Sequence, residues 1–359
     1  MEVTRDQVLR FRVHAQQLDA TATVASADAA VLDLGVQDTG PDGARWALEL
    51  RGSRPDADDL FMAWTIRGAP HVYRRAQAAD VAAAVAPLSE ADAAKRVFDA
   101  SRPLKQAGIP VLDALERIAE EMRSVVTRPT TKGDLSGELH ARLPEPYQRY
   151  CRPCDAVHLY EQPFRLSALR AGLQLRPGTS PPVLERIPGW RGAAAGVDPA
   201  LDPLRAVLRL LGPATPRQVS DYLDAPVRDV KTHWPEDVEV VTVDGAARHV
   251  LTADVGALSS PPGTDGLVRL LGPFDLFLQS RDRELVVPDQ AHRKDLWRTM
   301  GRPGGVLVGH EVRGTWRPRM SGRKLRLAVN AWFPLPDLTE QAERLAAFRG
   351  VAFDGFVEA

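Results

Sequence analysis

The sequence predicts an α+β protein in which tandem winged helix-turn-helix domains are followed by a small C-terminal β-barrel. Three observations support this class. A complete pattern of three helices and a hairpin occupies residues 202–251, the same order of elements can be traced twice nearer the N-terminus, and the region after residue 260 consists of short strands interrupted by Gly and Pro. With 359 residues, 44% hydrophobic and 26% charged, the chain has an ordinary globular composition.

The pattern is most complete in residues 202–251. A first helix with apolar residues at helical spacing ends at a glycine, and a capping-box start with Pro216 in the first helical position opens a second. Pro226 opens a third helix that runs to about Trp234. Two β-rich runs then surround Asp244-Gly245, a dipeptide that strongly favours a two-residue hairpin turn. Three helices followed by a hairpin form a winged helix.

Two less clear copies precede it. Each has three helical segments and two strand-like runs, and a fourth region of short strands follows residue 260 before a capped closing helix in DLTEQAERLAAFRG. The predicted helices are 6–18, 27–34 and 44–50 in the first copy and 111–122, 131–143 and 163–171 in the second. The resulting domains are 1–105, 106–195, 196–260 and 261–359.

Charge and composition exclude several classes of protein. The net charge is −1, which argues against a chain that coats nucleic acid with its entire surface. The average hides an asymmetry, because residues 281–326 carry twelve Arg or Lys against five Asp or Glu. No run approaches the roughly 18 apolar residues of a membrane span, and the N-terminus lacks the apolar stretch of a signal peptide. We therefore expect a cytoplasmic protein that does not enter a membrane.

The segment CRPCDAVH raises the question of a metal site. Cys151 and Cys154 have the spacing of two zinc ligands, and His158 with His140 would complete a tetrahedron. One such cysteine pair is a weak signal; two reduced thiols in a loop and a redox pair are the alternatives. Since the sequence also lacks a phosphate-binding loop, we expect neither a metal nor another cofactor.

Two groups of residues are candidates for contact with phosphate. Arg67 and His71 in RGAPH lie at the tip and return of the first predicted hairpin. The segment RGTWRPRMSGRK surrounds a second hairpin with cations and one aromatic residue: Arg313, Trp316, Arg317, Arg319, Arg323 and Lys324. So many cations in one place repel each other unless an anion neutralises them. Ordinary solvated surface residues are the alternative.

Several segments together resemble the AlkZ-like family of winged-helix DNA-binding proteins, whose characterised members are bacterial DNA glycosylases that remove bulky alkylated bases and unhook interstrand crosslinks. The segments are LGVQDTGPDGARWALELRG, WTIRGAPH, VLRLLGPATPRQVSDYL, VRLLGPFDLFLQSRDR and RGTWRPR. The similarity covers nearly the whole chain, and each segment alone would be a weak signal. It implies tandem winged helices around a concave, positively charged groove, closed by a C-terminal β-barrel whose hairpin reaches the duplex.

The resemblance gives a meaning to the polar junction Gln37-Asp38-Thr39. In active members this junction holds a Gln, a hydrophobic residue and then a second Gln or an Asp, and the two polar side chains face the sugar. Here Gln37 matches the first position, but Asp38 replaces the hydrophobic residue and Thr39 the second catalytic one. Hydrolysis of an N-glycosidic bond passes through an oxocarbenium-like sugar, so it needs a group that positions water and oxygens that stabilise positive charge.

Two interpretations of this junction remain open. In the first, Gln37 orients water and Asp38 or Thr39 stabilises the sugar, although a threonine hydroxyl is too weak a base to deprotonate water. In the second, Asp38, Thr39 and Gly40 cap a helix that starts near Pro41, as Asp and Thr commonly do.

We therefore predict a monomeric protein that binds double-stranded DNA and acts as a monofunctional DNA glycosylase on bulky or alkylated bases, without metal or nucleotide. A non-catalytic DNA-binding protein, either a repair accessory or a transcriptional regulator, is the first alternative. A protein-interaction module that uses its winged helices for packing is the second. The DNA-binding interpretation requires the arginine-rich hairpin and the polar junction to line one trough.

Overall fold

The structure, a computed structural model, describes residues 1–40 and 43–358 and has a mixed α+β fold. The helices are α1 (Arg5–Ala15), α2 (Ala44–Leu50), α3 (Ala78–Ala84), α4 (Glu90–Arg96), α5 (Ser101–Gln106), α6 (Val111–Val125), α7 (Lys132–Arg142), α8 (Glu161–Arg170), α9 (Pro203–Leu211), α10 (Pro216–Leu223), α11 (Val227–Thr232), α12 (Val255–Ser259), α13 (Arg283–Val286), α14 (Gln290–Leu296) and α15 (Thr339–Phe348).

The strands are β1 (Glu2–Val3), β2 (Val36–Gln37), β3 (Leu60–Trp64), β4 (Pro70–Arg74), β5 (Thr130–Thr131), β6 (Gln148–Cys151), β7 (Ala156–Leu159), β8 (Leu173–Leu175), β9 (Val183–Arg186), β10 (Val238–Val243), β11 (Ala246–Leu251), β12 (Val268–Leu271), β13 (Gly304–Val308), β14 (Glu311–Ser321), β15 (Lys324–Ala331) and β16 (Ala352–Val357).

The chain forms two compact units, each assembled from separate segments. Unit 1 contains Met1–Pro55, Arg205–Gln218 and Pro235–Ala359, and unit 2 contains Asp56–Leu204 and Val219–Trp234. Neither unit coincides with one of the four consecutive domains that the sequence suggests, and those four domains remain a prediction. None of the helices in the described part of the chain is long and apolar enough to cross a bilayer.

The helices and hairpin predicted for residues 202–251 are all present, as α9, α10, α11 and the antiparallel pair β10–β11. The hairpin turn uses Asp244 and Gly245, whose φ angles are 48° and 77°. Two left-handed residues in succession form the type I′ geometry whose twist matches that of the strands, which is why Asp-Gly predicts such a turn. In unit 1, β1 adds to the hairpin by pairing in parallel with β10.

The C-terminal strands form a five-stranded sheet in the order β12-β13-β14-β15-β16, antiparallel except for the parallel pair β15–β16. Its two outer strands, β12 and β16, do not pair with each other in the described part of the chain, so the predicted closed β-barrel is wrong. The reason is the crossover through α15, which returns β16 parallel to β15 and packs against both outer strands. A helix therefore covers the apolar face where a barrel would need further strand pairing.

The core of unit 1 joins the N-terminal helices to this sheet. Trp46 of α2 and Trp316 of β14 are both fully buried. Their indole nitrogens donate to neighbouring carbonyls of β12, Trp46 to Leu270 at 2.8 Å and Trp316 to Leu271 at 2.9 Å. A buried indole N–H needs such a partner, so the two rings fix α2 and β14 against the same strand.

Unit 2 contains a sheet with the strand order β4-β3-β8-β9-β5 and the helices predicted for the second copy, α6, α7 and α8. The sequence missed α3 to α5, the hairpin β6–β7, and in unit 1 also α13, α14 and β16. The helix predicted over 27–34 is wrong: this segment makes two 3-10 turns, Ser26–Asp28 and Ala30–Asp33, separated at Ala29 by an extended ψ of 94°.

Candidate active site and nucleic-acid interface

The polar junction lies where β2 ends. Gln37 is 9% exposed, and its side-chain nitrogen Nε2 donates to the hydroxyl oxygen of Thr39 at 3.0 Å. Residues two apart in extended backbone point to the same side, which is why these two side chains meet. This bond holds the Gln37 amide in one orientation and leaves its carbonyl oxygen as the acceptor that can meet a water molecule.

Asp38 has a different role from its neighbours. Its carboxylate accepts a hydrogen bond from the backbone N–H of Ala44 at 2.8 Å, at the start of α2. The cap position is Gly43, which has no side chain that could serve, so Asp38 satisfies one of the free N–H groups at this end. The capping interpretation therefore holds for Asp38. Pro41, where the sequence places the start of the helix, lies outside the described residues.

A narrow cleft lies beside Gln37 and Thr39, and in this conformation it has no room for a water molecule. Ligand pockets usually measure about 300–1,000 Å³, so a sugar or a base would enter this cleft only if its walls moved apart. Its lining comes from the polar junction, from α2 with the residue before it, and from the loop after β12: Gln37, Thr39, Gly43, Ala47, Gly272, Phe274 and Asp275.

The carboxylate in this cleft, Asp275, is fully engaged. Its two oxygens accept from Arg51 at 2.8 and 2.9 Å, and both side chains are buried. Arg51 also donates to the backbone carbonyls of Ala47 and Gln16, each at 2.8 Å. A carboxylate paired in this way cannot serve as a free general base. The pair instead ties the ends of α1 and α2 to the loop after β12 and fixes the wall of the cleft.

The arginine-rich hairpin is the long pair β14–β15, whose register matches Arg319 with Arg326 and Ser321 with Lys324. Alternation along β14 sends Val312, Gly314 and Trp316 into the core. Trp316 is 1% exposed, so the predicted contact of this residue with DNA is wrong. Trp316 is an odd number of residues from both Arg313 and Arg317, so in a strand it points to the opposite face. The alternation in RGTWRPR already indicates this.

Besides Arg313, four cations lie on the outward face of the hairpin. Arg319 and Lys324 are exposed, Arg317 is half-buried, and Arg326, which the sequence analysis missed, is exposed on β15. Lys324 and Arg326 share one counter-charge, Asp354, at 3.3 and 2.8 Å. Burial, and then the nearby positive charge of Arg298 and Arg319, lower the pKa of Arg317. Such crowding of cations favours the binding of an anion.

The remaining predicted cations differ in their exposure. Arg323 is exposed in the hairpin turn and donates to the carbonyl of Gly350 at 3.1 Å. Arg313 lies on the outward face but is half-buried, with its guanidinium 5.7 Å from the centre of the Phe333 ring. Arg313 is therefore held by packing inside unit 1, whereas Arg323 keeps its charge at the surface.

Helix α14 covers the base of the outward face. Asp295 accepts hydrogen bonds from Thr315 and Asn330 at 2.9 Å each, and from Arg298 at 2.7 Å. Burial raises the pKa of this carboxyl, but the hydrogen bonds, led by those of Asn330 and Thr315, lower it by more, so the net pKa lies below its usual value. Asp295 therefore stays ionised and anchors α14 on the sheet, leaving the outer half of the hairpin open.

Two contacts within unit 1 connect the cleft with the basic face. The guanidinium of Arg302 lies 5.1 Å from the centre of the Phe274 ring, which lines the cleft. Arg317 of the basic face donates to the carbonyl of Gly301 at 2.8 Å. Arg302 and Gly301 are adjacent in one loop, so a single short segment touches both features.

A second basic cleft lies in unit 1 around α13 and α14. Asp282 at its floor is paired with Arg12 at 2.7 Å and with Arg248. The excess of Arg and Lys in residues 281–326 indicates a basic region here, but the sequence does not show which of these residues come together. The cations that line the cleft are Arg248, Arg281, Arg283, Arg293 and Lys294.

The predicted contacts in the β3–β4 turn need correction. His71 is completely buried, with its Nδ1 3.1 Å from the hydroxyl of Thr65, so its predicted contact with phosphate is wrong. The guanidinium of Arg67 lies 5.0 Å from the centre of the Tyr222 ring and donates to the Tyr222 carbonyl. Burial, and then the charge of Arg67, lower the pKa of His71 to about 3. These residues form part of the packing of unit 2.

The cysteine segment forms the hairpin β6–β7, in which Cys151 is half-buried and Arg149 pairs with His158. The side chain of Cys154 lies outside the described residues. His140 interacts through its Nδ1 with Gln148 at 2.6 Å. Among the side chains that the structure describes, which do not include Cys154, no group of three or more His, Cys, Asp or Glu is arranged to hold a metal ion.

Comparison with known proteins places this geometry in a family. The model of the AlkZ-like family, described as DNA glycosylase AlkZ-like, matches residues 31–348. The chain belongs to the AlkZ-like DNA glycosylase family. The match includes the polar junction, the loop after β12 and the basic hairpin, so all the features of the candidate site lie within the family's own region.

The solved structure of the Streptomyces sahachiroi DNA glycosylase AlkZ is similar to this AlkZ-like chain. The two share 20% sequence identity and superimpose with a TM-score of 0.75 over 100% of both chains. At this identity the likeness establishes a shared fold. No curated protein matches the sequence.

Proposed function

We propose that this protein is a monofunctional DNA glycosylase that hydrolyses the N-glycosidic bond of bulky or alkylated bases in double-stranded DNA. Membership of the AlkZ-like family supports the reaction class. The observation that carries the proposal is the loop of Gly301 and Arg302, which contacts Phe274 of the cleft on one side and Arg317 of the basic face on the other. One duplex can then meet the phosphate-binding face and the cleft together.

We place the sugar at the mouth of the cleft, because the cleft itself has no room for a sugar or a base in this conformation. Departure of the base leaves positive charge on C1′ of the deoxyribose, and a water molecule must reach that carbon. We assign the carbonyl oxygen of Gln37 to hold this water, because the amide nitrogen is already bonded to Thr39. The lone pairs of the Thr39 hydroxyl and the carbonyl of Gln37 also supply partial negative charge towards the sugar. A bulky base would remain outside the cleft.

We propose that the basic face of the hairpin grips the phosphate backbone. Arg317, Arg319, Lys324 and Arg326 follow β14 and β15 on one side, and their charge exceeds that of the shared partner Asp354. Contacts of this kind position a protein on a duplex without reading its sequence. Arg323 in the turn extends the same surface.

We retain two further features as parts of the proposal. The first is the tandem winged-helix arrangement with the boundaries 1–105, 106–195, 196–260 and 261–359, which the order of α9, α10, α11 and β10–β11 supports in the third segment. The second is a monomer that acts in the cytoplasm without a metal or other cofactor.

One observation favours a non-catalytic DNA-binding protein as the second candidate. The carboxylate of Asp38 is bound to the start of α2, and Thr39 occupies the place of the second catalytic Gln or Asp of the family. Neither residue then offers a general base to the sugar. A protein with this junction would keep the basic face and bind duplexes without releasing bases.

The decisive experiment incubates the protein with duplexes that carry N7-alkylguanine and then heats them in alkali. Strand breaks at the lesion would show that the base had been released and would support the glycosylase. Binding without strand breaks would support the second candidate. If binding also changed little between low and moderate salt, the basic face would not contact phosphate, since several phosphate contacts give a steep dependence on ionic strength.

A further inference from the structure

Met300 is the most exposed large hydrophobic side chain of the described residues, at 86%. It lies in the loop between α14 and β13, and its neighbours Thr299 and Gly301 are exposed as well. An apolar side chain in water gains nothing from hydrophobic burial, and insertion into a partner would supply that gain.

Residues on both sides of Met300 are held by hydrogen bonds. On the N-terminal side, Arg298 donates to Asp295 at 2.7 Å. On the C-terminal side, the carbonyl of Gly301 accepts from Arg317 at 2.8 Å, and Arg302 donates to the carbonyl of Leu278 at 3.1 Å. The side chain is therefore presented from an anchored loop, which reduces the loss of conformational entropy when it inserts into a partner.

The surroundings of Met300 identify the chemistry of that partner. Arg298 and Arg302 flank it along the chain, and Arg317 of the basic face touches the adjacent residue. Proteins that bind the minor groove combine such cations with a single apolar wedge, often Met, Leu or Phe, that enters between two base pairs. A purely apolar partner would have to desolvate these arginines without compensating their charge, which costs free energy.

We propose that Met300 is a wedge that enters the base stack of double-stranded DNA next to the nucleotide held at the cleft. The inference rests on the proposed function, because the loop of Met300 reaches Phe274 of the cleft through Arg302. A glycosylase must bring a sugar in a stacked duplex to a water molecule, and a side chain that fills the space of the displaced base lowers the free energy of that distortion. Met300 thus acts on the conformation of the substrate and takes no part in bond cleavage.

The test compares Met300→Ala with Met300→Leu, which keeps an apolar side chain, and with Met320→Ala as a matched control. Met320 is 50% exposed and lies on the face of β14 opposite to Arg317 and Arg319. All three changes are at exposed positions, and a thermal melt checks that folding is intact.

Two readouts are used. The first is single-turnover base release from a fully paired duplex and from the same duplex with a mismatch opposite the lesion, where unstacking is already easier. We expect Met300→Ala to slow release about 10-fold on the paired duplex and about 2-fold or less on the mismatched one. Met300→Leu and Met320→Ala should stay within about 2-fold of the wild type on both.

The second readout is the fluorescence of 2-aminopurine placed beside the lesion, which rises when the base unstacks and requires no catalysis. The wild type should raise it on binding, and Met300→Ala should not. An equal loss of release on both duplexes, or an unchanged fluorescence rise in Met300→Ala, would overturn the wedge. If the wild type released no base but raised the fluorescence in a Met300-dependent way, the glycosylase would fail and the wedge would stand.

Discussion

The side-chain amide of Gln37 donates from Nε2 to the hydroxyl oxygen of Thr39 at 3.0 Å. Thr39 stands where the resemblance to the family implies a second catalytic Gln or Asp, and its hydroxyl orients the Gln37 amide. The carbonyl oxygen of Gln37 is consequently turned away from Thr39, and it is the acceptor to which we assign the attacking water. Two predictions test this arrangement.

Gln37→Ala should abolish base release and leave DNA binding almost intact. We expect single-turnover release to fall by roughly 100-fold or more, as for the loss of a group that acts mainly in the transition state. The dissociation constant for the same duplex should change by less than about 3-fold, because the phosphate contacts lie elsewhere. An equal loss of DNA binding and base release would show that Gln37 is needed only for the structure of the polar junction.

Thr39→Val keeps the shape of the side chain and removes the hydrogen-bond acceptor, whereas Thr39→Ser keeps the hydroxyl. With Val the Gln37 amide is free to rotate, so we expect release to fall about 10-fold, and with Ser to stay within about 2-fold of the wild type. Thermal melting of both variants provides the control for folding. Equal rates for Val and Ser would show that the bond between Gln37 and Thr39 has no role in catalysis.

Asp38→Ala should weaken the protein without changing its chemistry. Its carboxylate accepts from the Ala44 N–H at 2.8 Å, and loss of a helix cap typically costs about 1 kcal/mol of unfolding free energy. Asp38→Asn and Asp38→Ser retain an acceptor and should recover most of it. Base release per folded molecule should not change. A large loss of release per folded Asp38→Ala molecule would show that Asp38 takes part in catalysis.

At the polar junction the sequence predicts the site but not the role of each residue. Three polar side chains in a row predict a site, but sequence spacing gives no means of telling a cap from a catalyst, because both need an oxygen near a helix start. Whether Asp38 caps the helix depends on where α2 begins. The position of α2 is set in part by a tertiary contact, the hydrogen bond from the Trp46 indole N–H to the carbonyl of Leu270. The contact between Arg51 and Asp275, 224 residues apart, carries no sequence signal beyond the residue types.

The hairpin shows the opposite case. Period-two alternation in RGTWRPRMSGRK separates the buried Trp316 from the outward Arg317 and Arg319, and a two-residue periodicity applied to β15 would have added Arg326. The barrel was overpredicted because short strands with Gly and Pro occur in open sheets as well, and closure depends on the pairing of the outer strands. The burial of His71 likewise follows from its packing in unit 2 and not from its position in a turn.

Arg319→Ala should reduce the salt dependence of DNA binding. Each phosphate contact contributes about −0.9 to the slope of log K against log salt concentration on duplex DNA, so one lost contact reduces the slope by about 1. The effect should be the same for damaged and undamaged duplexes, since phosphate contacts carry no sequence information. Arg117→Ala is the control, because Arg117 on α6 is paired with Glu121 at 2.7 Å; a slope that changes equally in both variants would contradict a specific grip.

His71 should make the protein sensitive to acid. Its folded-state pKa of about 3 lies below the ordinary value of 6.5, first because burial disfavours the charged ring and then because Arg67 lies nearby. The unfolded chain therefore takes up a proton below pH 6.5, whereas the ring in the folded protein stays neutral down to about pH 3. The free energy of unfolding therefore decreases as the pH is lowered through this window.

The measurement is urea unfolding of the wild type and His71→Gln at pH 7, 6 and 5. Below pH 6 the wild type should lose stability relative to the variant by about 1.4 kcal/mol for each pH unit, the value of one proton. Tyr73→Phe is the matched control: it removes the hydroxyl that lies 2.8 Å from Thr65 in the same buried cluster, and its stability difference from the wild type should not depend on pH in this range. If the difference in unfolding free energy between the wild type and His71→Gln stayed constant from pH 7 to 5, the folded protein would take up the proton as readily as the unfolded chain. The prediction that His71 is buried in its neutral form would then be wrong.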